Sequence, residues 1–375
     1  MAELLLVLLL GLAGPMLAAT GRFAIPVAVG EILAGLVFGV SGLKIIDPSR
    51  PNLTLLSQIG FAVVMLVTGS HIDVRKIFSG STARKALINV LTVSAAAVMV
   101  SLLVQGLTNS GANTWTFAVI IASSSAAVAL PIFAASEPAS RVAVFVTQVT
   151  IADLLAIVIL PLVTGTENVA MVGMGALTVS VASAGIYLLL RYAAASGAWK
   201  RTRKFSAANG FGLELRLSLI LLLGLILIAQ SFAVTIMIAG FGLGLAIGAN
   251  GVPKRLAKQL FAVSEGLFSP VFFVILGAGI NVSAVAQDPK LIALALVLGL
   301  GSVLVHLVPV LFGLNPVLAV ASSAQLGVPA AAVSIGLATH AMNSGEAAAV
   351  MLGALTTLAA TAIAAAARNR KTQTG

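Results

Sequence analysis

Apolar runs long enough to cross a bilayer recur from one end of this chain to the other, and they leave few folds open. SLILLLGLILIAQ (218–230) is one of many. A spanning helix needs about 20 such residues, and inside lipid every backbone group must find an internal partner. The chain is 59% hydrophobic and 9% charged, against about 25% charged in soluble domains. Strict alternation of polar and apolar residues, which a membrane β-barrel requires, is absent. The chain therefore reads as an all-α polytopic membrane protein. It has no cysteine, which excludes disulfides, a thiol nucleophile and thiolate metal sites.

Thirteen apolar helices are expected, at 3–20, 25–41, 54–70, 86–108, 115–134, 141–163, 169–192, 212–230, 232–250, 266–282, 290–313, 316–338 and 346–367. The first run, MAELLLVLLLGLAGPMLAAT, carries Glu3 and no basic residue ahead of its apolar stretch. It is read as a helix of the fold rather than a secretion signal. The net charge of +10 would suggest nucleic acid in a soluble protein, but here it reports topology. With the N-terminus outside and the C-terminus inside, 18 of the 21 Lys and Arg residues fall on the cytoplasmic side, and only Lys44, Arg50 and Lys290 do not. The longest polar connection, 196–209, reads as a basic cytoplasmic loop, and 251–261 (GVPKRLAKQLF) as a short amphipathic interfacial helix.

Two segments resemble each other. ASSSAAVALP (122–131) and ASSAQLGVP (321–329) both place serines ahead of a proline inside an apolar helix. They mark Ser123 with Pro131, and Gln325 with Pro329, as features of interrupted helices. The segments lie seven helices apart and so enter the membrane from opposite sides, as inverted repeats do. Interrupted helices at matching places in inverted halves point to a transporter's substrate site.

One acid lies deep in the apolar sequence. In TIADLLAIVIL (150–160), Asp153 is 12 residues from Arg141 and 14 from Glu167, or roughly 20 Å of helix from either charge. An acid at that depth costs about 2.5–3.5 kcal/mol on insertion scales, and such residues usually face a cavity. A bare carboxylate out of water is unfavourable, so Asp153 suits a site where a proton and a cation compete. Hard monovalent cations take oxygen ligands, which Thr147, Thr150, Ser123, Ser124 and Ser125 could supply; Asp153 is the expected Na⁺ or K⁺ ligand. His306, deep in the eleventh helix, is a candidate proton or charge partner, because histidine titrates near neutrality. Gln325 is expected to satisfy interrupted backbone. Glu31 is expected to be solvated near an interface, and Glu346 to be an N-terminal helix acid.

IPVAVGEILAGLVFGVSGL (25–43), LLSQIGFAVVMLVTGSHIDVRKI (55–77) and SPVFFVILGAGINV (269–282) resemble the cation:proton antiporter superfamily, nearest its NapA-type and Kef-type branch. TIADLLAIVIL falls where that family carries its acidic ion-binding motif. The resemblance covers essentially the whole chain. It implies an NhaA/NapA-like fold with two interrupted, crossing helices, a homodimer in the cell membrane, and an elevator motion of a core domain against an interface domain. In this chain that division assigns 84–168 and 290–368 to the core, 1–83 and 169–289 to the interface and a linking helix, and 369–375 to a short tail. Family members often carry two adjacent acids and a lysine; here Ala152 precedes Asp153, and His306 lies in the helix that carries the lysine.

The expected activity is exchange of Na⁺ or K⁺ for protons, with no cofactor beyond the transported Na⁺, K⁺ or Li⁺ and H⁺. The alternative is a repurposed member that moves another cationic or organic substrate, or that has a channel-like or structural role. Neither a channel filter motif nor rings of charge appear. An enzyme is not expected, since a lone Asp cannot form an aspartyl dyad.

Overall fold

The computed structural model describes residues 1–19, 26–72, 80–108, 110, 112–126, 128–129, 139–164, 169–232 and 234–373. These residues form helices and connections, with no strand among them. Nine helices among them are long and apolar enough to span a membrane, from Pro51–Ser70 to Ser344–Arg368. Three shorter apolar helices accompany them, Ala2–Ala18, Val27–Phe38 and Ile236–Ala249. Each of the thirteen expected segments has a helix at its place. The protein is a multi-pass membrane protein.

Prolines set several breaks. Pro15 has no N–H for the Gly11 carbonyl, and the first helix is divided at Leu12 into Ala2–Gly11 and Ala13–Ala18. Pro270 likewise cannot donate to Gly266, and the turn Ser264–Phe268 ahead of it widens to a π-helix. Pro289 and Pro316 begin helices, where a missing N–H loses nothing. Their caps are Asp288 and Asn315, whose side chains accept from Lys290 N–H and Val317 N–H, each at 2.9 Å.

By packing, the chain falls into two compact units. One comprises Met1–Leu53, Lys76–Glu167 and Phe273–Gly375; the other comprises Thr54–Arg75 and Asn168–Phe272. In the first, helix Pro289–His306 packs most extensively against Ser344–Gln373. Gly299 allows the approach: a Cβ there would meet Thr356 Cβ at 2.7 Å and the Gly353 carbonyl oxygen at 3.1 Å. Helix Ser344–Gln373 starts with a capping box. Asn343 N–H donates to Glu346 Oε2 and Glu346 N–H to Asn343 Oδ1, both at 2.9 Å. The Ser110 hydroxyl donates to Glu346 Oε1.

In the second unit, helix Pro51–Ser70 lies against Ile236–Ala249 at Gly244, where a Cβ would come within 2.9 Å of Gly69 Cα. Phe61 and Phe272 stack with ring centroids 4.6 Å apart.

Two local expectations are corrected. The basic segment 196–209 is not a loop: Ala198–Ala208 is a helix. Its run of Ala, Lys and Arg has high helix propensity, and no glycine or proline interrupts it. Gly197, at φ 72°, starts it. Ser206 anchors it, donating to Glu214 Oε2 at 2.7 Å. Glu31 is not solvated but 1% exposed, packed beside Gly14. At 251–261, helix Lys254–Val263 is amphipathic, with Leu256 and Leu260 buried.

Candidate ion-binding site

Two broken helices meet in the first unit. The earlier one begins at Thr114, capped by Asn113, whose Oδ1 accepts Thr116 N–H at 2.9 Å. It runs to Ala122 and opens into extended backbone at Ser123. Helical conformation resumes at Ala126. Pro131, expected to mark this interruption, lies outside the described residues. The later helix, Pro316–Ser322, breaks over residues 323–326 and restarts as Gly327–Ala338. Pro329 sits in the first turn of that second half, where its missing N–H has no helical partner to lose.

Each break exposes backbone groups that the other satisfies. Gln325 Nε2 donates to the carbonyls of Ile121 at 3.1 Å and Ser123 at 3.2 Å. Ser125 N–H donates to the Ala324 carbonyl at 2.7 Å. The Ser124 hydroxyl donates to the Ser322 carbonyl at 2.6 Å. Gln325 N–H is taken up by Thr357 Oγ1 at 3.2 Å. In a buried apolar setting each unpaired group would cost about 1–3 kcal/mol, so these cross-links are what permit both helices to break. Gln325 thus serves mainly the carbonyls of the other broken helix rather than its own.

Asp153 lies on helix Ala139–Val163 and is 6% exposed. Its Oδ2 accepts the Ala126 N–H at 3.2 Å. That N–H belongs to the start of a helical segment, where unpaired donors and the helix dipole favour negative charge. Among the described residues, the carboxylate thus meets one backbone donor and no cationic side chain. Asp153 and His306 form no ion pair with each other among these residues, whereas Arg50 pairs with Glu3 and Asp47.

Thr150, three residues before Asp153, shares its face of the helix. Its hydroxyl donates to the Val146 carbonyl at 2.7 Å, which leaves its lone pairs available to a cation. Thr147 is buried but is rotated about a third of a turn from Asp153. The Ser123 hydroxyl is directed to its own helix, at Ile120 O, 2.8 Å away. Ser124 and Ser125 lie in the break itself, next to Ala126. No group of three or more His, Cys, Asp or Glu residues that could hold a metal ion occurs among the described residues.

His306 ends helix Pro289–His306; Pro309 follows, and the chain tightens to a 3₁₀ turn over Val308–Phe312. Its Nδ1 is 2.8 Å from the Ser302 carbonyl. A carbonyl only accepts, so Nδ1 carries hydrogen and Nε2 is the acceptor in the neutral ring. Nε2 faces Ser124 Oγ at 3.4 Å, a hydroxyl whose hydrogen already goes to Ser322. The structure therefore brings His306 to the crossing through Ser124.

Several residues of this region escape a reading of the sequence alone. Asn89 Nδ2 donates to Gln148 Oε1 at 2.9 Å, and Gln148 Nε2 to Ser322 Oγ at 3.4 Å. All three are buried. An amide five residues before the acid, in an otherwise apolar run, was the available signal for Gln148.

A family model described as sodium/hydrogen exchanger, transmembrane, matches residues 4–372. The chain belongs to the sodium/hydrogen exchanger family. That family consists of transporters, not enzymes. Among curated proteins, the chain is similar to the Bacillus subtilis (strain 168) protein named "Putative Na(+)/H(+) antiporter YjbQ", with 24% identity over 327 residues, 83% of this chain and 52% of that protein. The chain thus spans about half the length of that relative. Among solved structures, it is similar to the sodium proton antiporter MjNhaP1 from Methanocaldococcus jannaschii at pH 8. That match has a TM-score of 0.63, 19% identity and 98% of each chain covered. At that identity the likeness is one of fold. The cation:proton antiporter superfamily is supported, and the NapA/Kef branch is not singled out.

Proposed function

We propose that this sodium/hydrogen exchanger family member exchanges a monovalent cation, Na⁺ or K⁺, for a proton at Asp153. The observation that carries the reading is a lone buried carboxylate held by a backbone N–H at the crossing of two broken helices. Half-helix ends and freed carbonyls at such a crossing are the usual material of a transporter's ion site. Asp153 binds either the proton or the cation. Thr150, on the same face of the helix, and Ser124 and Ser125, in the break beside Ala126, supply the further oxygen ligands.

The carboxylate crosses the apolar barrier only when neutralised, because a bare charge there is costly. That single condition couples the two fluxes without a second site. The core, 84–168 with 290–368, carries Asp153 between the two sides as an elevator, in a homodimer with the N-terminus outside and the C-terminus inside. Ala152 beside Asp153 removes the second acid, which leaves one carboxylate to carry either the proton or the cation. Exchange is then one for one and electroneutral.

The test is cation-driven proton movement in proteoliposomes with Na⁺, Li⁺ and K⁺, run beside Asp153→Asn. Exchange that this substitution abolishes supports the reading. Exchange that survives it places the site elsewhere. A second reading rests on the replacement positions themselves: Ala152 and His306 suit a repurposed member with another cationic or organic substrate. Silence with all three ions in folded protein would favour it.

A further inference from the structure

The first unit contains a cavity of about 660 Å³ whose lining includes Lys85, Asn89, Val144, Asn315 and Arg368. It lies at the ends of the helices that carry these residues, and no acid lines it among the described residues. Nothing above gives it a role.

A chain of hydrogen bonds leads inward from its wall. The Ser322 hydroxyl donates to the Ala319 carbonyl at 2.7 Å, so Ser322 Oγ accepts from Gln148 Nε2. Gln148 must then turn its oxygen to Asn89, and Asn89 must donate through Nδ2. The amide oxygen of Asn89 is left as the last group of the chain, on a residue that lines the cavity. The chain thus ends in an acceptor, which suits an approaching cation and not an anion. Beyond Ser322, the Ser322 carbonyl accepts from Ser124. Ser124 is two residues from Ala126, whose N–H holds Asp153.

We infer that the Asn89–Gln148 amide bridge is the inner gate between this cavity and Asp153, the pair that an ion from this side must part. The inference rests on Asp153 as the exchange site. Asn89 lies on helix Gly80–Thr108 and Gln148 on Ala139–Val163, so the bridge joins two helices across the way. Both residues are essentially buried, at 4% and 1% exposure, and the hydrogen bonds that hold them join neutral groups. A neutral pair of this kind can open and re-form without moving charge. Its oxygens can also replace water on the cation as it passes. The basic rim at Lys85 and Arg368 makes these amides the first cation-attracting side chains on the route along this hydrogen-bond chain.

The chain has no cysteine, so a single introduced thiol reports accessibility cleanly. Ser322→Cys places it directly behind Gln148. The full-length protein is treated with 2-aminoethyl methanethiosulfonate, a small cationic reagent, and the labelling rate is followed by mass. The bridge predicts slow labelling that Asn89→Ala accelerates tenfold or more. A control thiol from Ser183→Cys, buried in the other unit, should not change. An unchanged rate at Ser322→Cys overturns the gate. Equal acceleration at both positions overturns it too, by showing general loosening. If Asn89→Ala does not fold, Asn89→Ser removes the same amide with less lost volume. Labelling needs no transport, so failure of exchange at Asp153 and failure of the gate are read separately.

Discussion

Replacing Gln325 by methionine tests whether the two broken helices stabilise one another. Gln325→Met keeps length and roughly the volume while removing the amide. Two carbonyls, those of Ile121 and Ser123, lose the donor they share. Neither has an in-helix replacement: Ser125 N–H, the helical partner of Ile121, is committed to Ala324, and the chain leaves the helix at Ser123. At about 1–3 kcal/mol for each buried group left unpaired, the loss is about 2–6 kcal/mol. The lower half applies if water reaches the crossing. The assay is the melting temperature of detergent-purified protein by size-exclusion survival, with Thr356→Ala as a control on the packed but uncrossed face. A clear fall for Gln325→Met with little change for the control is expected. An unchanged melting temperature would refute the view that cross-bonding permits the breaks.

Three further outcomes follow from the same geometry. Ser124→Ala strips the Ser322 carbonyl of its donor and should lower stability by about 1–3 kcal/mol, read as a fall in the same melting assay. Glu346→Ala removes the capping box of the last helix and should cost about 0.5–2 kcal/mol. Glu346→Gln, which keeps an acceptor for Asn343 N–H, should recover part of it in parallel melts. A potassium-diffusion potential imposed on proteoliposomes should leave the exchange rate unchanged; a strong effect would mean that His306 carries a proton through the cycle.

How much could be read from the residues differs by scale. The apolar runs had to be spans because no other fold hides so much hydrocarbon, and each has its helix. Asp153 announced itself by isolation, since charge is rare where water is absent. The serine and proline spacing pointed to breaks at Ser123 and Gln325, because backbone freed in a membrane needs small polar neighbours. The partners of those breaks were not legible. Gln325 serves carbonyls some 200 residues away, and nothing local encodes that. The Asn89–Gln148 bridge was hidden for the same reason: two neutral amides 59 residues apart resemble any polar residue in a long helix. Glu31 shows the converse error. Its position near a helix end suggested solvation, but the close approach at Gly14 buries it.

The central claim is that a proton and a cation compete for Asp153. Proton release on addition of Na⁺, Li⁺ or K⁺ to the purified protein in weakly buffered detergent measures that competition directly. The account predicts one proton released for each cation bound, and no release from Asp153→Asn. Cation binding without proton release, or release that persists in Asp153→Asn, would contradict it.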